Sequence, residues 1–438
     1  MAGEVVRIPF GPDREVEFPL APNWELAGVC EPRVVTPCSD VADEARRAIA
    51  KPHGAPPLGQ VARRATKVVV VVDDVSRPTP VHQFFRPVME SVESAGVKPE
   101  QITVLTALGV HRPMSDDEIA AKIGSWGAAR YTCVNHDSAP GEHLVRLGKT
   151  TRGSEVWVNR LVAEADLVIS MGCIEPHTIA GFGGGYKNIF PGVAGKVTIA
   201  ANHALNTPPS TFNMVGSRPE TNPMRCDLEE CGRMLNSTVF VVNAILDGKL
   251  RVVEIAAGDA VAAHREGIRT SERIFGVEID APADILITGS APMDIDLRQG
   301  LKALANTIRA VRRGGMMINF ITAAQGLGDS PLPTKNLYAG KRTVRALSYA
   351  LLPLIGKFTF GLREEDLYFI YFALQAFQRN DIYFYSPNVP PEFTKKIPFF
   401  EIHASIDALS ARTHAAARGR ARVLVFPKGG VTYPILKG

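Results

Sequence analysis

Three stretches in the first half of the chain share one design: an apolar, mostly β-branched run that ends in a polar loop. Lys67–Val72 (KVVVVV) runs into DDVSRPTP, Ile102–Thr106 (ITVLT) into ALGVHRP, and Ala165–Met171 (ADLVISM) into GCIEPHTIAGFGGGYKNIFPG. Continuous runs of this kind lack the alternation of a half-exposed strand. They predict strands buried on both faces, as in a parallel sheet. Between them, VHQFFRPVMESVESAG and SDDEIAAKIG carry the apolar spacing of helices. Strands alternating with helices predict an α/β fold with parallel-type sheets and right-handed crossovers. The pattern restarts near Pro282. ADILITGS predicts a strand, DLRQGLKALANTIRAVRR a helix that starts at Asp294 or Asp296 and stops before Gly314-Gly315, and GGMMINFI the next strand.

A chain of 438 residues exceeds one ordinary core, and these patterns divide it into two α/β domains. Residues 1–275 are expected to form an N-terminal, cofactor-binding domain and 276–414 a second. Residues 415–438, which hold the strand-like ARVLVFP, are expected to return to the first. Helical stretches near 259–275 and 403–418 would then bracket the second domain as a hinge, with a ligand cleft between the domains. The Gly- and Pro-rich loop Gln325–Lys335 is a candidate mobile segment.

Composition narrows the class. Hydrophobic residues at 45% and charged residues at 21% are an ordinary globular balance. A net charge of +4 with no basic cluster gives no support to nucleic-acid binding. Cys30, Cys38, Cys133, Cys173, Cys226 and Cys231 form no CxxC pair and read as reduced thiols. The N-terminus has no apolar h-region, and the most apolar stretch, Ala346–Ile355, is too short to span a bilayer. A cytoplasmic protein with no membrane partner is expected.

The candidate chemistry sits in the loops that follow the strands. Asp74, Arg77, His111, His177 and Lys187 all fall there, and open α/β sheets bind ligands outside the carboxyl ends of their strands. Glu175–Gly192 is the densest block. Gly181, Gly183, Gly184 and Gly185 allow positive φ, and their N–H groups suit an anion nest. The spacing is not that of a Walker A loop, and neither HExxH nor CxxC zinc spacing is present. From the residues alone, two readings stand open. One is a phosphate or nucleotide loop. The other is a catalytic or metal-binding crevice, since His111, His177, His203 and Lys187 accompany the glycines.

DDVSRPTP, ALGVHRP, EPHTIAGFGGGYKNIFPG, ANHA and RQGLK, in this order and spacing, resemble the signature blocks of the nickel-pincer nucleotide-dependent lactate racemase family. The resemblance extends over most of the chain and implies a two-domain α/β fold. It implies a cofactor, pyridinium-3-thioamide-5-thiocarboxylic acid mononucleotide with nickel, covalently attached at Lys187 and contacted by Asp74, Gly183, Gly184 and Gly185. His203 would ligate nickel, for which imidazole is suited. His111 and His177 would be the acid–base pair, since inversion needs proton transfer on both faces of a planar intermediate. In the route the family implies, one histidine takes the hydroxyl proton while the C2 hydride moves to the cofactor. The resulting 2-keto acid then receives hydride on its other face. Arg77 and Lys302 would bind the substrate carboxylate and Gln299 would hydrogen-bond it, while Arg112 and Glu175 would orient the histidines. Asp74 would fix Arg77 or a cofactor hydroxyl. The implied partners are a small 2-hydroxy acid and the cofactor-synthesis enzymes.

One position departs from the family pattern. Members that act on lactate carry an aromatic residue before the glutamine, where this chain has Arg298. An added cation favours a larger or more anionic acid, such as a dicarboxylate or sugar acid. The alternatives are a phosphate- or nucleotide-binding transferase or hydrolase, and a non-catalytic nickel- or nucleotide-binding protein. The second leaves the paired histidines without a purpose.

Overall fold

The computed structural model describes residues 4–206, 208–328, 346, 364–390, 401–417 and 419–437. Most of Gln325–Lys335 and of Ala346–Ile355 lies outside the described residues. Two compact units are present: Val34–Asn206 with Ser217–Ile274, and Met1–Arg33 with Thr207–Gly216 and Phe275–Gly438.

The first unit is built on a six-stranded sheet in the order Val252–Asp259, Thr238–Leu246, Leu167–Cys173, Val68–Asp73, Ile102–Ala107, Thr132–Asn135. All neighbours are parallel except the first two. Every residue of Val68–Asp73 is buried. Val68, Val70 and Val72 pack with Phe84, Phe85 and Val88 of the helix Val81–Ser94. Val69 and Val71 pack on the other side, with Ile189, Phe190 and Val193. The unbroken valine run is therefore explained by burial on both faces. Register aligns the strand ends, with Asp73 opposite Ala107 and Val72 opposite Met171. The helix Asp116–Ile123 starts on a capping box: Ser115 accepts from the Glu118 amide, and Glu118 reaches back to the Ser115 amide.

The second unit holds a parallel six-stranded sheet: Glu401–His403, Asp381–Tyr385, Val311–Phe320, Ala283–Gly289, Ala421–Phe426, Trp24–Val29. The chain's return differs from the expectation. Residues 415–438 do not rejoin the first unit, because Ala421–Phe426 is inserted between Ala283–Gly289 and Trp24–Val29 and needs parallel partners on both edges. It is the N-terminal segment that comes back, and its alternating burial suits an edge strand. Tyr433–Leu436 pairs with Gly276–Ile279 in the same unit. The second unit also takes Thr207–Gly216 and begins its long C-terminal segment at Phe275. The helix after Ala283–Gly289 is shorter than expected. Leu297–Thr307 begins at the Asp296 N-cap, and the strand Val311–Phe320 already starts where the helix was expected to continue. Val311 pairs with Ala283, and the ladder is interrupted before Met316 meets Ile285; Gly314 has φ +79° in that interruption. Helices Ala262–Phe275 and Ile406–Ala416 match the expected bracketing helices. Among the described residues, no helix is long and apolar enough to cross a membrane.

The N-terminal segment contributes core as well as an edge. Phe18 is fully buried, 6.5 Å from Trp24 and 5.7 Å from Phe320 between ring centroids. Phe18→Ala is expected to destabilise the second unit by about 3–5 kcal/mol, read as a lower urea midpoint, although it lies far in sequence from the strands it supports.

Candidate active site

The loop after Val68–Asp73 is organised by two consecutive carboxylates with different partners. Asp73, fully buried, accepts from Lys122 Nζ at 3.0 Å and from the Thr79 hydroxyl at 2.5 Å. Asp74 accepts from the Ser76 amide and hydroxyl at 3.0 and 2.6 Å through one oxygen, and pairs with His111 Nδ1 through the other. Burial pushes the Asp74 carboxyl up. The bonds from His111 and Ser76 and the nearby Arg77 more than offset it and hold the group well below the usual carboxylate range. An ionised Asp74 accepts a proton-bearing Nδ1, so the lone pair of His111 lies on Nε2. His111 itself is exposed.

His177 is wired in the opposite sense. It closes the short strand Pro176–His177, which pairs with Gly181–Phe182 and turns the backbone back over the ring. The amides of Ile179 and Ala180 both donate to His177 Nδ1 at 3.2 Å. Nδ1 is therefore the acceptor, and the ring proton lies on Nε2. Glu175, two residues earlier, pairs with Arg77 at 2.9 Å. Asp74, expected to fix Arg77 or a cofactor hydroxyl, thus holds His111, and Glu175, expected to orient a histidine, holds Arg77. Arg112 pairs with Glu118 on the surface rather than with either histidine.

The glycines of GFGGGYKN are needed for close packing. Gly184 has φ +74°, and a Cβ there would lie 2.5 Å from Ile174. The Gly183 amide donates to the Glu175 carbonyl at 2.7 Å and the Gly185 amide to Asn243 Oδ1 at 2.8 Å. Behind the loop, Arg225 donates to the carbonyls of Phe182 and Gly184, and His264 Nε2 bonds the Gly183 carbonyl at 2.8 Å. Arg225 is fully buried, and burial lowers its pKa to about 10. The expected anion nest is therefore largely occupied by protein groups at Gly183 and Gly185. The loop's work is to fix the short 3-10 turn Gly185–Asn188 that carries Lys187.

His203 lies on the helix Lys196–Ala204. Its Nδ1 bonds the Ile199 carbonyl at 2.7 Å, leaving the Nε2 lone pair as a ligand. Burial is the main cause that lowers its pKa to about 4, with a smaller push from Lys187. A neutral imidazole with a fixed tautomer, within the field of the Lys187 amine, has the donor character that suits a nickel ion. The preceding residue anchors this helix. Asn202 donates to the buried Asp227 at 2.8 Å, which also accepts from Thr150 at 2.6 Å and Ser154 at 2.9 Å. Arg298, Gln299 and Lys302 belong to the second unit, on the first turns of Leu297–Thr307. Gln299 Oε1 is buried without a hydrogen-bond partner among the described residues.

Residues 12–212 match the model of the lactate racemase N-terminal domain. Lactate racemase of Thermoanaerobacterium thermosaccharolyticum is 29% identical over 327 residues, 74% of this chain and 75% of that protein. Lactate racemase of Lactiplantibacillus plantarum is 31% identical over 288 residues, 64% of this chain and 66% of that protein. Over most of its length the chain is similar to lactate racemases. Its fold is that of the lactate racemase apoprotein from T. thermosaccharolyticum, with a TM-score of 0.82 at 23% identity over 99% of this chain and all of that one. A Thermotoga maritima protein shares the fold at TM-score 0.64 and 16% identity. By this similarity the chain is an isomerase, a racemase by type.

Arg225, His264, Asn243, Asp227 and Lys122 escaped the sequence reading. Lys122 alone left a signal, a lysine one turn from Ile119 and beside Ile123 on the helix's apolar face.

Buried histidines give the protein an acid limit. His136 bonds the Ala194 carbonyl at 3.0 Å and accepts from Asn159 at 3.1 Å; burial is the main cause that lowers its pKa to about 4. Burial also lowers His264 well below the ordinary histidine value. A histidine depressed in the folded state contributes stability that is full above pH 6.5 and is lost as pH falls toward 4. The melting temperature should therefore fall across that window, and less steeply in His136→Gln, which keeps both hydrogen bonds without titrating.

Proposed function

We propose that the chain racemises or epimerises a small 2-hydroxy acid with a nickel-pincer nucleotide carried on Lys187, using His111 and His177 as its acid–base pair. The observation that carries this reading is the opposite wiring of the two rings. Asp74 behind His111 leaves a proton acceptor at Nε2, and the amides behind His177 leave a proton donor at Nε2. A racemase needs one of each at any moment, because one face of the substrate gives up a hydroxyl proton and the other face receives it.

When bound, the nucleotide supplies a reversible two-electron acceptor for the hydrogen on C2. Lys187 is the proposed attachment and His203, through Nε2, the proposed nickel ligand. The turn that carries Lys187 and the helix that carries His203 are both anchored by buried polar groups, which supports a preorganised site. His111 takes the substrate's hydroxyl proton at Nε2, and the resulting positive ring faces the Asp74 carboxylate. His177 keeps its proton on Nε2, because the amides of Ile179 and Ala180 hold Nδ1. Arg77 is proposed to bind the substrate carboxylate, its guanidinium anchored on one side by Glu175. Lys302 and Gln299 are proposed as further substrate contacts, and the buried Gln299 Oε1 suits a substrate hydroxyl. Arg298 beside them directs the reading toward acids with more anionic or polar groups than lactate carries.

Two measurements test this. Protein produced together with the cofactor-synthesis enzymes should show, by intact mass, a nucleotide adduct that is absent from Lys187→Ala. A wild-type protein without adduct under those conditions would count against the whole reading. Single enantiomers of lactate, hydroxydicarboxylates and sugar acids, followed by chiral analysis, then identify the substrate; turnover of lactate alone would remove the role given to Arg298. With the substrate in hand, Asp74→Asn should lower kcat by roughly 10²–10⁴-fold, because the amide no longer holds His111 as a proton acceptor. Retained adduct in that variant separates lost proton transfer from lost cofactor.

A further inference from the structure

The end of Val68–Asp73 gathers acids and bases in pairs that grade from sealed to open. Lys122 and Asp73 are 3.0 Å apart with side chains 6% and 5% exposed. Arg77 and Glu175 are 2.9 Å apart at 22% and 13%. His111, on Asp74, is 40% exposed. Only the first pair is closed to water, and neither member touches a group that reacts.

Lys122 reaches this place from the last turn of Asp116–Ile123. Its ammonium donates to Asp73 Oδ1, to the Arg77 carbonyl at 3.1 Å and to the Thr79 carbonyl at 3.3 Å. All its donors are thereby used on the loop that carries Asp74 and Arg77. The Arg77 guanidinium lies in the field of Glu175, Asp74 and Asp73 together. An Asp73 without Lys122 would be a buried carboxylate lacking a counter-charge, a costly state that a neighbouring cation relieves by moving toward it. Arg77, whose own carbonyl accepts from Lys122 and on which the Asp73 charge acts, is such a cation.

We propose that Lys122 is a positioning residue of the racemase: by holding Asp73, it keeps Arg77 on Glu175 with its free edge directed to the substrate carboxylate. The proposal rests on the substrate role given to Arg77 above. Lys122 acts through charge competition, so removing the competing carboxylate should repair what removing the lysine damages.

The test compares Lys122→Met with Lys122→Met/Asp73→Asn. In the loaded enzyme, Lys122→Met should raise KM roughly tenfold while kcat stays within about threefold, and the double variant should return KM to within about threefold of wild type. In the cofactor-free protein, the Arg77 Nε–H resonance should move in Lys122→Met and return in the double variant. Lys122→Gln, which keeps donors but no charge, provides a second single variant if Lys122→Met does not fold, and its resonance should move in the same direction. An unmoved Arg77 resonance in the single variants overturns the proposal. So does a double variant as defective as the single, since a purely structural lysine would not be rescued. Arg77→Ala with unchanged KM would instead refute the substrate role of Arg77. The resonance measurement still decides whether Lys122 governs where Arg77 lies.

Discussion

The site depends on the burial of one strand. Val68–Asp73 has no exposed residue and runs through the middle of its sheet. Such a strand admits polar groups only where its ladder ends, so the sheet's chemistry is forced to the carboxyl edge. There the register brings the ends of Ile102–Ala107 and Leu167–Cys173 alongside. Asp74, His111 and His177 leave the sheet from adjacent strands and need no long-range loop to bring them near one another. The Gly109 amide bonds the Gly192 carbonyl at 2.8 Å, which ties the His111 loop to the loop that follows Lys187.

Much of this was legible in the sequence, and for a physical reason. The valine run, the helix start at Asp296 and the glycine loop are local signals, and the three strands of the first half appear within a residue or two of their expected places. The strand-end positions of Asp74, Arg77, His111, His177 and Lys187 follow from the same local reading. Partner identity did not follow, because it is set by contacts across long sequence separations. Asp74 turned out to serve His111 and Glu175 to serve Arg77, although proximity along the chain suggested otherwise. The end of the chain was misplaced for the same reason. An apolar run such as ARVLVF announces a buried strand but not the sheet that receives it.

The glycine loop shows how one motif sustains different physical readings. Successive glycines signal close approach of backbone to something, and a phosphate is a familiar candidate. Here the approaching partners are largely the protein's own: Ile174, Asn243, His264 and the buried Arg225. A turn held from several sides presents its lysine in one place. That suits the covalent attachment proposed for Lys187.

The parallel pairing of Trp24–Val29 with Ala421–Phe426 has a consequence for the order in which the molecule assembles. The earliest strand of this sheet to leave the ribosome has its neighbour almost at the other end of the chain. The unit of Val34–Asn206 and Ser217–Ile274 can complete its sheet while synthesis continues. The second unit cannot, and Phe18 and Trp24 remain without their core until the last strands emerge. Its folding waits on the closure of a loop nearly as long as the protein. Until that closure, the apolar side chains of this N-terminal segment stay open to solvent in the nascent chain.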